Sequence, residues 1–493
     1  MNKIFTLILL TAIFLINSCQ NKMDKAYGER KNKLEYRRGK VYEYKKDTND
    51  ATPLLDTMIN CCYRSDSDEY RKTSLFIHRK LQVLSNDSGI RSLRDSAEEE
   101  IQLRGMSTHG LQWGGMADIT EENIKTLATD WKCNLFRIVI HVDEEGGYFC
   151  NPGRTHRLLD STVIWCEKAG IYCLIDFYVS RPGNPNDSIY RNHYIDTAFL
   201  EKGFGGYINI ASGKKHIDLA KTFFTYCAKR YKYKKNIIYG LCAQPSGVDF
   251  NNVDWEEYDN PKVTWQNHIR PYCEEMIGLI RYHDPTVVIV CGTPHLSTRP
   301  QDVINNEPKD STGKKYKNLM YALQICANSY IVDNPNFKNL FKDTVTAISP
   351  IWKKVPIFVT TFMTTDGSGW LNINKDKSDK WLELFNKYNL SWCNWSFTSE
   401  EEGGLCCALT WHCGRIPEKE EDLDSILTES GIFIRNMLRF CDVRDSIFRR
   451  NNSTILYKDW VPFKVDEYFK RNMNRRNDED YKRELKKITS QQN

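Results

Sequence analysis

The sequence predicts an α/β protein whose main part is a (β/α)8 barrel, or TIM barrel, with loop insertions at the C-terminal face. Apolar runs alternate with helix-like segments from about residue 80 onward, which is typical of βα repeats and a parallel sheet. Eight such runs are present, and each is continuous, as expected for parallel strands that are buried on both faces. Eight βα units in roughly 360 residues leave room for long loops.

The eight predicted strands are Leu103–His109, Leu135–Val142, Tyr172–Val179, Ile237–Gln244, Val287–Thr293, Leu319–Ala327, Pro356–Thr361 and Leu390–Thr398. The predicted helices include Glu121–Asp130, Asp160–Ala169, Ile217–Tyr231, Trp265–His283 and a last helix at Ile432–Phe440. Ser180–Lys214 and Thr293–Lys317 follow the third and fifth strands and are expected to be loop insertions. Both would lie at the C-terminal face, where the active sites of such barrels are found.

The N-terminus is predicted to be an export signal. Lys3 precedes an apolar run over residues 4–16, which is too short to span a bilayer as an ordinary helix. The run leads into Asn17-Ser18-Cys19, which resembles a bacterial lipobox. That resemblance implies a signal peptide over residues 1–18, a lipid on Cys19 and an exported, membrane-anchored lipoprotein. An ordinary cleaved signal and an uncleaved anchor are the alternatives, and the side of the membrane stays open.

Composition sets the remaining boundaries. Residues 19–79 are polar and are predicted to form a tether with one helix around Asp66–Lys80, whereas residues 80–441 hold the barrel. Residues 442–493 form a charged tail, in which Lys470–Lys487 is expected to be a solvated helix rather than a membrane or partner contact. The net charge of +5 is spread along the chain and gives no reason to expect nucleic acid as a partner.

The 17 cysteines do not have metal-binding spacing. No Cys-x-x-Cys pair occurs, so a zinc site is not expected. The sequence implies no other metal and no organic cofactor. An exported protein with an even number of cysteines besides Cys19 permits disulfides. However, Cys173, Cys242, Cys291 and Cys393 lie inside strand-like runs, where cysteine behaves as a small hydrophobic residue. We therefore expect mostly free thiols, with room for one or two bridges.

Several segments resemble glycoside hydrolase family 5 cellulases. They are LRGMSTHGLQW at 103–113, NLFR at 134–137, WCEKAGIY at 165–172, LSWCNWS at 390–396 and SGIFIR at 430–435. The resemblance runs from about Lys80 to Phe440 and implies a barrel that acts on β-linked polysaccharides. It also implies a retaining mechanism, in which two carboxylates about 5 Å apart flank the glycosidic bond.

The two positions that the resemblance assigns to catalytic glutamates hold other residues. At the end of the fourth strand the family's Asn-Glu-Pro is replaced by Ala243-Gln244-Pro245, and Thr361 occupies the nucleophile position on the seventh strand. Gln244 cannot deliver a proton at neutral pH, and general acid help is worth roughly 10²–10⁴ in rate. Thr361 would need a neighbouring base before it could attack. Both catalytic positions are therefore predicted to be non-functional.

A partial sugar-binding site is expected around these positions. The predicted substrate-binding residues are His109, Trp113, Arg137, Tyr178, Gln324 and Trp395. The resemblance implies that a sugar stacks on Trp395, although a closed groove would make this ring core packing. Tyr178 and Gln324 replace family histidines, and Cys326 replaces a tyrosine. Arg137 either binds substrate or serves as an ion-pair partner, and Asp176 is expected to be a structural partner.

Three functions remain open from the sequence. We favour a membrane-anchored, cellulase-like barrel that binds a β-linked polysaccharide or a protein partner without cleaving it. The second is an active glycosidase of altered mechanism, which would recruit loop carboxylates. Those candidates are Asp143, Glu144, Glu145, Asp366, Glu400, Glu401 and Glu402. The third is a scaffold whose groove is filled by the two insertions and which binds a protein partner.

Overall fold

The structure is a computed structural model of the 493-residue chain. It describes residues 59, 63, 65, 67–112, 116–142, 147–179, 183–187, 192–195, 206–209, 215–246, 262–328, 351–365, 373–398 and 427–451. No helix in these ranges is both long and apolar enough to cross a bilayer.

Eight parallel strands close into a barrel, which confirms the predicted (β/α)8 architecture. In chain order the strands are β1 (Gln82–Ser85), β2 (Arg91–Arg94), β3 (Arg104–Thr108), β4 (Leu135–His141), β5 (Tyr172–Tyr178), β6 (Asn192–Ile195), β7 (Gly206–Asn209), β8 (Ile237–Ala243), β9 (Val288–Cys291), β10 (Leu319–Cys326), β11 (Ile357–Met363) and β12 (Ser391–Phe397). The barrel order is β3-β4-β5-β8-β9-β10-β11-β12, and β12 pairs with β3 to close it. The eight predicted strands match the barrel strands within two residues at each end.

Two short helices precede the barrel, others lie in the connections between its strands, and one follows its last strand. They are α1 (Asp68–Arg71), α2 (Ser74–His78), α3 (Glu121–Thr129), α4 (Pro152–Ala169), α5 (His216–Arg230), α6 (Arg270–His283), α7 (Pro294–Ser297), α8 (Ile351–Lys354), α9 (Lys375–Lys387) and α10 (Glu429–Asn451). A π-helical segment, Trp265–Ile269, precedes α6. Each long helix buries one stripe against the strands, as α5 does with Ala220, Phe223 and Cys227.

Two predicted helices differ from the observed ones. Helix α4 begins eight residues before the predicted start at Asp160, because Pro152 occupies its first turn and the Asn151 side chain accepts a hydrogen bond from the Arg154 backbone N–H. Helix α10 continues to Asn451, so the predicted domain boundary at residue 441 falls inside a helix.

The N-terminal end of the barrel is closed by the segment that precedes it. Leu75, Leu81 and Leu93 pack against the inward-facing apolar side chains of the strands. The backbone N–H of Leu75 donates to Gly170 O just before β5, and the Val83 N–H donates to Asn318 Oδ1 just before β10. The tether was predicted to hold one helix, but α1 and α2 both lie there, and α2 packs on the barrel. This segment therefore covers the N-terminal end of the barrel and not the C-terminal ends of its strands.

The first predicted insertion contains secondary structure that the sequence did not predict. β6 and β7 pair as an antiparallel hairpin, with Asn192 opposite Asn209 and Ile195 opposite Gly206. Each strand is only four residues long, which is too short for period-two alternation to distinguish it from a loop. The second insertion contains α7 and a 3-10 turn at Pro300–Val303.

The cysteines of the described ranges are free thiols, as expected. They are Cys133, Cys150, Cys166, Cys173, Cys227, Cys242, Cys273, Cys291, Cys326, Cys393 and Cys441. Burial raises the pKa of Cys173, Cys242 and Cys393 above the ordinary thiol value, because the apolar surroundings disfavour the thiolate. These thiols are therefore core residues rather than nucleophiles.

Gly240 on β8 offers a test of how tightly the barrel interior is packed. A Cβ at this position would lie 2.2 Å from Asp176 Oδ1. We expect Gly240→Ala to lower the free energy of unfolding by about 1–3 kcal/mol, because overpacking forces neighbours out of place. Guanidinium unfolding followed by tryptophan fluorescence measures this change.

Gly153→Ala is the matched control for Gly240→Ala. A Cβ there meets no atom closer than 3.6 Å, and alanine favours the helix α4 in which it lies. The control variant should have the same free energy of unfolding as the unchanged chain, or a slightly higher one. Equal stability of both variants would contradict the proposed tight packing around Asp176.

Candidate functional site

Polar side chains converge where the barrel strands end at the C-terminal face. Those that share the site are Ser107, His109, Arg137, His141, Asp176, Tyr178, Gln244, Gln324, Thr361 and Trp395. Alternate residues of a strand point to the same side, so Arg137 and His141 on β4 face the interior together, as do Asp176 and Tyr178 on β5. The site thus combines the ends of strands that are distant in sequence.

Arg137 is the centre of this arrangement. Its side chain is 1% exposed, and its Nε and Nη2 both lie 2.8 Å from Asp176 Oδ2. Its Nη1 donates to Ser107 Oγ at 3.2 Å and to Thr361 Oγ1 at 3.1 Å. Burial raises the pKa of Asp176 above its ordinary value, and the Arg137 guanidinium limits that rise. The geometry makes Arg137 an ion-pair partner of Asp176, one of the two roles considered from the sequence.

Thr361, which the sequence resemblance assigns to the nucleophile position, lies on β11. Its side chain is 1% exposed, and Oγ1 accepts the hydrogen bond from Arg137. No carboxylate or imidazole among the described residues hydrogen-bonds this hydroxyl. Because a threonine hydroxyl needs a base to become a nucleophile, the observed contacts do not activate Thr361.

Gln244 and Gln324 form an amide pair across the site. Gln244 follows β8 directly, has a left-handed backbone with φ of 57° and donates from Nε2 to Gln324 Oε1 at 2.7 Å. Positive φ is uncommon outside glycine and is found disproportionately at functional sites. Gln324 is 7% exposed, and its own Nε2 has no hydrogen-bond partner among the described residues. The pair can bind through hydrogen bonds, but neither amide can supply a proton to a leaving group.

The aromatic ring of Trp395 lies beside the polar residues, in contact with the imidazole of His109. Trp395 at the end of β12 is half-buried, and its ring centre lies 5.3 Å from that of His109 in an edge-to-face arrangement. The Arg137 guanidinium lies 5.8 Å from the same indole. Burial, with a smaller contribution from His141, lowers the pKa of His109 to about 3, so its ring is neutral near pH 7. Trp395 therefore keeps part of its surface open next to an uncharged imidazole.

His141 was missed by the sequence analysis. Its ring centre lies 4.8 Å from that of Tyr178, and its Nε2 is 3.1 Å from His109 O. The family resemblance placed a histidine at position 178, and the structure instead supplies an imidazole from the neighbouring strand. The inward alternation of β4, four residues beyond Arg137, could have identified it.

Several predicted site residues lie outside the described ranges. They are Cys19, Trp113 and the loop acids Asp143, Glu144, Glu145, Asp366, Glu400, Glu401 and Glu402. Cys326 is described, and its Sγ lies 3.6 Å from Met363 Sδ. Within the described residues, no group of three histidine, cysteine or carboxylate side chains is placed to hold a metal ion. In the eight barrel strands Asp176 is the single carboxylate.

The change in the free energy of unfolding at acidic pH tests the burial of His109. Its pKa is about 3 when folded, whereas an unfolded histidine titrates near 6.5. Above pH 6.5 both states are neutral and the group contributes nothing. As the pH falls from 6.5 towards 3, the unfolded state alone binds the proton, so the fold loses stability. At pH 5 this loss should be about 2 kcal/mol.

His109→Asn should remove that part of the loss. Urea unfolding at pH 7.5 and pH 5, for the unchanged chain and the variant, measures the difference. An equal loss in both proteins would mean that His109 is protonated in the folded state.

Comparisons with known proteins agree with the geometry. The family model described as cellulase (glycosyl hydrolase family 5) matches residues 94–401. Endoglucanase CelA of Streptomyces lividans is 28% identical over 352 residues, which cover 70% of this chain and 62% of that protein. Cellulase CelDZ1 of a Thermoanaerobacterium species is 30% identical over 324 residues, which cover 66% of this chain and 72% of that protein.

Solved structures of cellulases are also similar to this chain. The catalytic domain of Thermobifida fusca endoglucanase Cel5A, solved as a Glu-to-Gln variant in complex with cellotetraose, superimposes with a TM-score of 0.55 and 26% identity. The match covers 74% of this chain and 99% of that domain. The closed parallel barrel, the matched family model and these relatives together show that the chain belongs to the cellulases of glycosyl hydrolase family 5.

Proposed function

We propose that this family 5 chain is a membrane-anchored lipoprotein that binds a β-linked polysaccharide in its groove without hydrolysing it. The observation that carries the proposal is the shortage of acids at the strand ends. The barrel strands hold one carboxylate, Asp176, and both of its contacts with Arg137 engage the same oxygen at 2.8 Å. An acid held in a buried ion pair is not available for proton transfer to a substrate.

The chemistry of a retaining glycosidase needs more than one carboxylate held in an ion pair. It requires two carboxylates about 5 Å apart, one to protonate the leaving oxygen and one to attack the sugar. The corresponding positions hold Gln244, whose amide bonds Gln324, and Thr361, whose hydroxyl bonds Arg137. Loss of general acid help alone costs roughly 10²–10⁴ in rate, and the missing nucleophile adds to it.

Binding places smaller demands on the same groove. Trp395 is half-buried and offers an indole face, and sugar rings stack on such faces through their apolar C–H surfaces. The hydrogen bonds of Gln244 and Thr361 do not require ionisation. The Thermobifida domain, solved with cellotetraose as a Glu-to-Gln variant, is a precedent for this fold holding a glucan with a glutamine in place of a glutamate.

A product assay combined with a binding assay tests the proposal. We expect no new oligosaccharides by mass spectrometry after long incubation of the full chain with β-glucans, xylans and mannans. At least one of these polymers should retard the protein in affinity electrophoresis. Trp395→Ala should weaken that binding by about 10-fold or more, because a central aromatic anchor commonly contributes over 1 kcal/mol.

Trp352→Ala is the matched control for Trp395→Ala. Trp352 is also half-buried, and it stacks on Tyr388 at 4.5 Å, but it lies on α8 before the start of β11. The control should leave polymer binding unchanged. Release of oligosaccharides by the unchanged chain, abolished by Asp366→Asn or a substitution at Glu400–Glu402, would overturn the proposal in favour of an altered glycosidase.

The lipid anchor is proposed from the sequence around Cys19. In a bacterial host that processes lipoproteins, the unchanged chain should incorporate a labelled fatty acid and sediment with membranes. Cys19→Ser should lose the label and appear in the soluble exported fraction, because no acceptor thiol remains. Equal labelling of both chains would place the lipid elsewhere, and labelling of neither would mean an ordinary signal or an uncleaved anchor.

A further inference from the structure

We infer that the groove is built for an acidic glycan, with the carboxylate of a uronic acid unit held between Gln324 and Thr361. This inference rests on the proposed glycan-binding function and names its ligand class. It starts from Gln324, a buried polar side chain of the site with a donor that bonds none of the residues the structure describes. Gln324 is 7% exposed, its Oε1 accepts from Gln244 Nε2, and its own Nε2 finds no acceptor in the part of the chain that the structure describes.

A buried N–H group without an acceptor is costly, since it loses its bonds to water and gains none. The free energy is recovered when a ligand supplies the acceptor. Gln324 on β10 is the direct register partner of Thr361 on β11, so the two residues lie side by side on neighbouring strands. The Thr361 hydroxyl accepts from Arg137 and keeps its own hydrogen free to donate. Two register partners on adjacent strands therefore each offer a donor.

The Arg137–Asp176 ion pair gives the electrostatic potential beside these donors a direction. Asp176 contacts the Nε and Nη2 edge of the guanidinium, whereas Nη1 points to Thr361 and Ser107. The positive end of the buried pair thus faces Thr361 and the negative end faces away from it. At close range in a poorly solvated site such an oriented charge pair favours an anion near Thr361.

The neutral residues at positions 244 and 361 also favour an acidic ligand. Two carboxylates at positions 244 and 361 would repel a third one on the ligand. With Gln244 and Thr361 in their place, and His109 neutral, the described strand ends carry no unpaired negative charge. A donor-rich, uncharged surface next to the positive end of an ion pair suits a carboxylate better than the hydroxymethyl group of a neutral glucose unit.

Calorimetric titration of the full chain in detergent tests the inference with three tetrasaccharides. The ligands are a β-1,4-linked glucuronate tetramer, cellotetraose and the tetramer of N-acetylglucosamine. We expect the uronate to bind about 10-fold or more tightly than the other two. Its affinity should fall with rising salt, whereas that of the neutral ligands should not.

Two variants assign the effect to Gln324. Gln324→Glu should weaken uronate binding by about 10- to 100-fold, because it replaces a donor by a repelling carboxylate, and should weaken cellotetraose binding much less, because that ligand carries no charge. Gln324→Met removes the donors without adding charge and should weaken uronate binding about 10-fold, which keeps the test decisive if the charged variant does not fold. Gln82→Glu, on the hairpin at the opposite end of the barrel, adds the same charge and should change nothing.

Each other outcome has a distinct meaning. Cellotetraose binding as tightly as the uronate would overturn the acidic-ligand inference and leave the proposed function standing. Tightest binding of the N-acetylated tetramer would mean that a neutral carbonyl fills the site, and would also overturn it. Absence of binding to all three would reject both the inference and glycan binding in the groove.

Discussion

The buried ion pair between Arg137 and Asp176 is the constraint on which the site depends. Its partners are 1% and 3% exposed, so neither charge is stabilised by water and each requires the other. Removing one partner of such a pair typically costs about 3–5 kcal/mol. The pair needs the space that Gly240 leaves beside Asp176, and its remaining donor fixes Thr361. Packing of three strands and the chemistry of the groove are thereby coupled.

This coupling explains how Gln244 and Thr361 fit the positions that the resemblance assigns to catalytic acids without damaging the fold. Catalytic acids are a burden on stability, since they place unpaired or mutually repelling charges in a partly dry site. Thr361 instead satisfies a donor of Arg137, and Gln244 satisfies Gln324 Oε1. In the proposed binding role the barrel keeps its ion pair and the indole of Trp395, and it lacks the two carboxylates that a retaining mechanism requires.

The sequence predicted the barrel well because continuous apolar runs report burial directly, and each strand of the barrel gives its own run. It predicted the hairpin β6–β7 and the first turns of α4 poorly, because those depend on short strands and on a cap at Asn151. Site membership followed from the family resemblance, residue by residue. The Gln244–Gln324 contact and the packing of His141 on Tyr178 join different strands, and no local pattern encodes such pairs.

Binding and catalysis separate naturally on this scaffold. Only interactions that are stronger in the transition state than in the ground state accelerate a reaction, and the two carboxylates of a retaining glycosidase supply them. Stacking on Trp395 and hydrogen bonds from amides and hydroxyls act on the bound sugar before any bond breaks. In the proposed binding role, the absence of these acids removes turnover and leaves ground-state affinity, so membership of a hydrolase family establishes the fold of this chain while its site determines the function.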